Sequence, residues 1–295
     1  MRNTRKHPFL VAILAFAFLF ALASCGSDDD SGGSGVTTGG DTENGGDAAG
    51  DDGDATGTYQ NLASLEGQRI GVQSDTTGQA YAEENAPEGA EIVAFDDTIG
   101  LFGALESGDI VAILQDIPVN ADRATQDDTV VVVETFPTGE QYGFAVAKDS
   151  DLKAELDGAL EEVRGDGTYD ALYEKYFPVD GAEPGPGPDE SDIDGSRTLT
   201  VCSDIPYPPM EMEGEGPRGL AYTGFDIELL DAMAASIDAN LEILAVGFDG
   251  ILGNLASGTC DVVASSVTIT DERAEEVDFT EPYFDADQSL LVKKG

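Results

Sequence analysis

The stretch that decides the fold is residues 265–283, which read SSVTITDERAEEVDFTEPY. It directly follows the short apolar, β-branched run 261–265, and such runs bounded by turn residues are typical of buried strands. Hydroxyl side chains and the cation of Arg273 therefore stand where a strand has just ended. These polar residues are the first candidates for a binding site.

Strands and helices alternate on both sides of this stretch. Short apolar runs predict strands at 69–72, 91–95, 110–114, 129–134, 143–147, 199–202, 241–246, 261–265 and 289–292. Apolar residues at helical spacing predict helices at 79–84, 98–107, 152–163, 169–176, 225–235 and 250–256. The alternation predicts an α/β protein with mostly parallel sheets that helices cover on both faces.

The alternating pattern falls into two segments, 59–178 and 197–295. Residues 179–196 separate them and contain Gly-Pro-Gly-Pro at 185–188 among acidic residues. This stretch has no apolar periodicity, so we interpret it as a linker.

The amino-terminal end predicts export. A basic start is followed by a nearly unbroken apolar run at 9–23, which fits a secretory signal at 1–24 and is too short for a comfortable membrane span. Leu-Ala-Ser-Cys-Gly at 22–26 resembles the lipobox of bacterial lipoproteins, which implies lipidation of Cys25 and anchoring to the membrane outside the cytoplasm, at the cell surface or in the periplasm. Cleavage beside an incidental cysteine and an uncleaved anchor are the alternatives. Residues 25–58 lack large apolar side chains, so we expect a disordered acidic tether.

The cysteine and histidine content limits which disulfides, catalytic triads and metal sites the protein can form. Cys202 and Cys260 remain after Cys25, and an exported compartment allows them to form a disulfide; two buried free thiols are the alternative. The single histidine, His7, lies in the predicted signal. The mature chain would therefore hold no Ser-His-Asp triad and no histidine-ligated metal, and we expect neither a metal nor another cofactor.

The chain is strongly acidic, with a formal net charge of -45 at pH 7. Such a surface repels nucleic acid and anionic lipid headgroups, so we expect no nucleic-acid partner. Solubility in a saline environment explains the charge more simply than a cationic partner does.

Two sets of motifs resemble the polar amino-acid-binding family of solute-binding proteins, known as family 3. The first set resembles the first half of that family and comprises LTVCSD at 199–204, PYPP at 206–209, GFDI at 224–227, FDG at 248–250 and the stretch 265–283. The second set resembles its second half and comprises LEGQRIGVQS at 65–74, TTG at 76–78, LQDIP at 114–118, GFAVAK at 143–148 and YDALY at 169–173. The resemblance implies a two-lobed Venus-flytrap fold of type II.

The two halves stand in the opposite order to that of the family. A circular permutation is one explanation, in which the linker 179–196 joins what are usually the two ends. Lobe 1 would then comprise 142–178 and 197–286, and lobe 2 would comprise 59–141 and a strand within 287–295. A truncated tandem of two binding units is the alternative.

The resemblance implies a site for a zwitterion, because burying either charge of an amino acid without a partner costs several kcal/mol. Arg273 matches the position that binds the α-carboxylate, and Asp116 matches the acceptor of the α-ammonium. Ser266 and Thr268 would contact the same two groups. Thr76 and Thr77 precede a predicted helix, whose first N–H groups favour an anion.

Selectivity for the ligand side chain would come from Asp204, Tyr207, Phe248 and Gln73. The two aromatic residues are candidates for packing against the ligand, or they belong to the core. The negative charge near the mouth of the site weakly favours a basic ligand such as arginine or lysine.

The resemblance thus implies a monomeric binding protein, not an enzyme, which closes around an amino acid and delivers it to the permease of an ABC transporter. An enzyme on the same fold, such as a dehydratase or a cell-wall lyase, is one alternative, with Glu211 as the candidate acid or base. A sensory ligand-binding module is the other.

Overall fold

The computed structural model describes residues 58–178, 182–188 and 194–295. The predicted signal at 1–24, the predicted lipidation site Cys25 and the predicted tether up to residue 57 lie outside the described residues. Two parts of the predicted linker, 179–181 and 189–193, lie outside them as well.

The strands are short and mostly apolar, as the sequence predicts. Their bounds are β1 Arg69–Gln73, β2 Glu91–Phe95, β3 Ala112–Asp116, β4 Val130–Tyr142, β5 Ala145–Ala147, β6 Arg197–Ser203, β7 Met212–Glu213, β8 Tyr222–Thr223, β9 Ala239–Ala245, β10 Val262–Val263, β11 Val277–Phe279 and β12 Phe284–Lys293. The long strands β4 and β12 differ from the rest, since each spans ten residues or more.

Helices connect most of these strands. Their bounds are α1 Thr77–Asn85, α2 Thr98–Ser107, α3 Ile117–Gln126, α4 Leu152–Gly165, α5 Thr168–Tyr176, α6 Phe225–Ser236, α7 Gly253–Ala256 and α8 Asp271–Glu276, with 3-10 turns at Leu62–Leu65 and Pro217–Gly219. In the ranges that the structure describes, no helix combines the length and the apolar character needed to cross a bilayer.

Within the described residues, all strands except β7 and β8 build two five-stranded sheets, and β7 and β8 form a small hairpin. One sheet has the order β2-β1-β3-β12-β4, and we name it and its helices lobe 2. The other has the order β11-β5-β10-β6-β9, and we name it and its helices lobe 1. The strand β12 from the carboxyl-terminal end thus pairs with strands from the amino-terminal segment.

The prediction of mostly parallel sheets is wrong. In lobe 2, β1 pairs in parallel with β2 and β3, whereas β12 is antiparallel to both β3 and β4. In lobe 1, β6 pairs in parallel with β9 and β10, whereas β5 is antiparallel to both β10 and β11. The antiparallel strands β4, β5, β11 and β12 flank the two points where the chain passes between lobes, and the prediction did not take these passages into account.

Both faces of each sheet are buried because neighbouring residues of a strand point to opposite faces. In β6, Val201 packs in one cluster with Leu160 and Leu229, and the next residue, Cys202, packs in another cluster with Ile251. Strand β12 does the same in lobe 2, where Leu290 and Leu291 belong to separate clusters. The continuous apolar runs in the sequence follow from this two-sided burial.

The two passages between lobes lie side by side. The chain leaves β4 for β5 after Tyr142, and it returns from β11 to β12 before Phe284, which is the register partner of Tyr142. Gly143 occupies the first passage, and a β-carbon there would lie 2.9 Å from Cδ1 of Ile269. A pair of adjacent antiparallel strands therefore forms the hinge, and a side chain at Gly143 would have to displace the side chain of Ile269.

Several predicted boundaries shift towards the site. Strand β3 ends at Asp116 and not at residue 114, and β4 extends to Tyr142 because β12 pairs along its whole length. Helix α1 begins at Thr77, two residues before the prediction. The predicted strand 261–265 and helix 250–256 shrink to Val262–Val263 and Gly253–Ala256, because the polar residues beside them belong to loops.

Cys202 and Cys260 form a disulfide, with their Cα atoms 5.8 Å apart, so the first of the two alternatives for these residues is confirmed. The bond joins the end of β6 to the loop before β10. The two cysteines are 58 residues apart in the sequence. By loop-closure entropy, a crosslink of this length stabilises a fold by about 4 kcal/mol.

Replacing both cysteines by alanine should therefore lower the free energy of unfolding by about 4 kcal/mol, because the unfolded chain regains the closed-loop entropy. Urea unfolding followed by circular dichroism measures the difference. Wild-type protein treated with a reductant is the control and should show a similar loss. A double variant as stable as the oxidised wild type would contradict a structural role for the bond.

Candidate functional site

A cavity lies between the two lobes, where the parallel strands of both sheets end. Its lining residues are Gln73, Thr76, Thr77, Asp116, Asp204, Tyr207, Phe248, Ser265, Ser266, Thr268 and Arg273. The structure thus brings all ten predicted contact residues to one place, together with Ser265. Their roles towards a ligand stay predictions.

Arg273 supplies the cation of the cavity. It lies in α8, whose N-cap Thr270 accepts a hydrogen bond from the Arg273 N–H at 3.1 Å. The guanidinium donates to the carbonyl oxygens of Thr268 at 3.0 Å and Asp75 at 2.8 Å, and it lies 5.6 Å from the ring centre of Phe248. Two contacts therefore fix the plane of the guanidinium. Burial lowers the pKa of Arg273, but an arginine stays charged in proteins.

Asp116 supplies an anion from the opposite lobe. It ends β3 and is only 7% exposed. One carboxylate oxygen, Oδ2, accepts from the hydroxyls of Tyr142 and Tyr207, and the other, Oδ1, accepts from the amide of Gln288. Burial raises the pKa of Asp116 to about 6, although the hydrogen bond from Tyr142 opposes the shift. Since a carboxylate offers about four lone pairs, Oδ1 can still accept a ligand donor.

Asp204 supplies a second anion, deeper on the side of lobe 1. Its backbone N–H donates to the Ser265 hydroxyl at 2.9 Å, and its Oδ2 accepts from the amide of Gln73 in lobe 2 at 2.6 Å. Burial raises the pKa of Asp204 to about 6 as well. Gln73 and Asp204 thus form a hydrogen bond across the cleft.

The start of α1 faces the cavity from lobe 2. Thr76 is the N-cap, and its hydroxyl accepts from the N–H of Gln79 at 3.1 Å. The first N–H groups of a helix have no acceptor within the helix, so this end suits a negatively charged group. The helix start at Thr77, earlier than predicted, places these N–H groups at the cavity wall.

Glu140 is a residue of this site that the sequence analysis missed. It lies on the hinge strand β4 and accepts from the Thr77 hydroxyl at 2.5 Å and from the Thr268 hydroxyl at 3.1 Å. The amide of Gln288, on the other hinge strand, lies 3.3 Å from each oxygen of the same carboxylate. Both hydroxyl protons point at Glu140, so towards a ligand these two hydroxyls present acceptors.

A signal for this missed network was present in the sequence. Gln288 and Ser289 directly precede the apolar run at 290–292, and in the structure both are fully buried. A buried amide needs partners. Nothing in the sequence around Glu140 identified that partner, because the contact depends on how the two hinge strands pair.

Like the two threonines, Ser266 presents hydrogen-bond acceptors to the cavity. Its backbone has a left-handed φ of 48°. Its N–H donates to Asp226 at 2.8 Å and its hydroxyl donates to Glu211 at 3.1 Å, both behind the cavity wall. Glu211, the candidate acid or base of the enzyme alternative, is fully buried there and does not line the cavity.

The cavity carries an excess of negative charge. Asp116 and Asp204 line it and Glu140 borders it, whereas among the described lining residues Arg273 alone is cationic. Acceptors from the two threonines and Ser266 add to this bias. The arrangement therefore fits a ligand with one anionic group and more than one cationic or donor group.

Comparison with known proteins identifies the group to which this chain is related. Residues 199–295 match the family described as bacterial extracellular solute-binding proteins, family 3. Over this segment the chain is similar to the family. The match covers the segment that contains Arg273 and the stretch 265–283, which agrees with the resemblance seen in the sequence.

Individual curated proteins match parts of the chain. The probable amino-acid-binding protein YxeM of Bacillus subtilis is 42% identical over 72 residues, which are 24% of this chain and 27% of that protein. The histidine-binding periplasmic protein of Salmonella typhimurium is 34% identical over 130 residues, 40% of this chain and 50% of that protein. These matches span half the length of the curated relatives or less.

Solved structures also match this chain in part. The arginine-bound form of domain 1 from TmArgBP is 32% identical, with 33% of this chain and 80% of that chain covered and a TM-score of 0.27. A mutant of the arginine-bound ArgBP from T. maritima is 15% identical, with 77% of this chain and 87% of that chain covered and a TM-score of 0.41.

The hydrogen bonds to Asp116 provide a test of the site that needs no ligand. Replacing Tyr142 by phenylalanine should raise the pKa of Asp116 above about 6, since the lost bond favours the ionised form. NMR titration of the carboxyl carbons measures this pKa. Replacing Tyr207 by phenylalanine is the matched control and should give a smaller rise, because its bond is 3.2 Å long. An unchanged Asp116 pKa in both variants would contradict the described network.

Proposed function

We propose that this family 3 protein captures a polar amino acid in the cleft between its lobes and delivers it to an ABC transporter outside the cytoplasm. One observation carries the proposal: Arg273 of lobe 1 and Asp116 of lobe 2 line the same cavity. A free amino acid presents a carboxylate and an ammonium, and both need partners when they are buried. The cavity offers one fixed group for each.

The two charged groups of an amino acid would occupy different walls of the cavity. The α-carboxylate would lie against Arg273 and the first N–H groups of α1, where the positive end of the helix dipole adds to the guanidinium. The α-ammonium would then face Asp116 and the acceptor hydroxyls.

The charge balance favours a ligand with a cationic side chain. A zwitterion satisfies Arg273 and Asp116 and leaves Asp204 without a cationic partner. A basic side chain would supply that cation, and Tyr207 and Phe248 would pack against its stem. The name of the Salmonella typhimurium relative, a histidine-binding protein, agrees with this class.

Binding would couple to closure of the cleft. Groups from both lobes contact the ligand, so a bound amino acid favours the form in which the lobes meet. In the structure the lobes meet through Gln73 with Asp204, and through the hydroxyl of Thr98, which donates to the carbonyl of Pro206 at 2.7 Å. The N–H of Gly250 donates to the Asp75 carboxylate at 3.2 Å. The closed surface is what a permease would recognise.

The order of the two halves fits a circular permutation, and we propose that the linker 179–196 joins the usual ends. The pairing of β12 with β3 and β4 supports this, since one lobe then needs both distant segments. Anchoring through lipidated Cys25 after removal of a signal at 1–24 is part of the same proposal and rests on the sequence.

Replacing Arg273 by alanine tests the proposed function. Wild-type protein should show a thermal shift with at least one of the common L-amino acids, since a ligand at a hundred times its dissociation constant stabilises a fold by about 2.7 kcal/mol. The Arg273→Ala variant should fold and lose that shift. The exposed Arg69 is the control, and Arg69→Ala should keep it. If Arg273→Ala bound amino acids as well as wild type does, the proposal that Arg273 binds the α-carboxylate would be wrong.

The pH dependence of binding tests the charge argument. A cationic ligand needs Asp116 and Asp204 ionised, and their pKa values of about 6 mean that protons compete below that pH. Affinity for L-arginine, measured by calorimetry, should be constant from pH 8 to 7 and fall below pH 6, by up to about tenfold per pH unit for each carboxylate involved. Asp204→Asn should weaken binding and flatten the profile, whereas the exposed Glu161→Gln should change neither. A flat wild-type profile would contradict the argument.

A further inference from the structure

Two carboxyl groups lie behind the cavity wall without contact with solvent. Glu211 follows the loop that carries Tyr207, and Asp226 lies in the first turn of α6; both side chains are 0% exposed. They come from different elements and meet beneath Ser266. Neither lines the cavity.

The hydrogen bonds of this pair are unequal. Oδ2 of Asp226 accepts from the Ser266 N–H at 2.8 Å and from the Tyr283 hydroxyl at 2.6 Å. Oε1 of Glu211 accepts one bond, from the Ser266 hydroxyl at 3.1 Å. The remaining oxygens, Oε2 of Glu211 and Oδ1 of Asp226, are buried and have no donor among the described residues.

The two unpaired oxygens belong to carboxyl groups in hydrogen-bonding contact with each other. Two carboxylates cannot bond directly, because both only accept, and two like charges without water are costly. One proton between them would satisfy both oxygens and remove one charge. Asp226 receives two donors, so it is the better place for the remaining negative charge.

We propose that Glu211 carries a proton on Oε2, donates it in a hydrogen bond to Oδ1 of Asp226, and with Asp226 holds Ser266 in its left-handed conformation. Glu211 is then a positioning residue. It fixes which side of Ser266 meets the cavity, because the N–H and hydroxyl donors of Ser266 both point at the pair. This part of the inference rests on the proposed function.

The surroundings agree with a protonated Glu211. Burial raises the pKa of Glu211 well above its usual range, and the charge of Asp226 raises it further. The pKa of Asp226 is raised by burial, while its hydrogen bonds from Glu211 and Tyr283 oppose that. Asp204 adds a further negative charge on the cavity side. All these groups favour one proton on the pair.

Infrared spectroscopy tests the proton without any ligand. Wild-type protein at about pH 8, where Asp116 and Asp204 with pKa values of about 6 are ionised, should show the carbonyl band of a protonated carboxylic acid, with a shift in heavy water. Glu211→Gln should remove this band. The control is Glu228→Gln, which removes a largely buried carboxylate of α6 that is ion-paired with Lys175, and it should leave the band in place. No band in wild type, or a band that survives in Glu211→Gln, would overturn the proposal.

The positioning role has its own measurement. Glu211→Ala should weaken L-arginine binding by about tenfold, as expected for one lost hydrogen bond at the wall. Glu211→Gln keeps a neutral donor towards Asp226 and should restore most of the affinity. Equal losses in both variants, or none in either, would overturn the positioning role. If wild-type protein does not bind L-arginine, the proposed function fails in this form, and the infrared result still decides whether Glu211 holds the proton.

Discussion

The cleft depends on the positive charge and the hydrogen bonds of the Arg273 guanidinium. Two aspartates and Glu140 face or border the cavity, and like charges repel more strongly there than in bulk water. Arg273 lies among them and also joins the lobes, since it donates to Thr268 on one side and Asp75 on the other. The same group therefore offsets the charge of the cleft and prepares it for an anionic group of a ligand.

The hinge strands connect the lobes and also contribute side chains to the site. Gln288 on β12 uses its two amide protons to bridge Asp116 and Glu140, and Glu140 in turn receives the threonine hydroxyls of both lobes. A change in the angle between β4 and β12 would alter these contacts together. The hinge strands and the wall of the cavity thus share one hydrogen-bond network.

Motifs in the sequence predicted much of this site, and strand pairing explains what they did not predict. Ten residues from both halves were expected to meet and do line one cavity, because each follows the end of a strand and such ends lie at the same edge. The sequence missed Glu140 and Gln288, which are 148 residues apart and whose contact depends on the register of the two hinge strands. It also gave the wrong sheet type, since apolar runs show burial on two faces but not strand direction.

The place of β12 in lobe 2 has a consequence for how the chain folds during export. This strand lies between β3 and β4, yet every residue of lobe 1 is synthesised before it. Until β12 emerges, β3 and β4 have open edges that attract other strands. Lobe 1 can complete its sheet first, and lobe 2 must wait, exposed, for its central strand. This order of strands along the chain would thus favour slow, lobe-by-lobe folding and a need for protection of the early segment by chaperones.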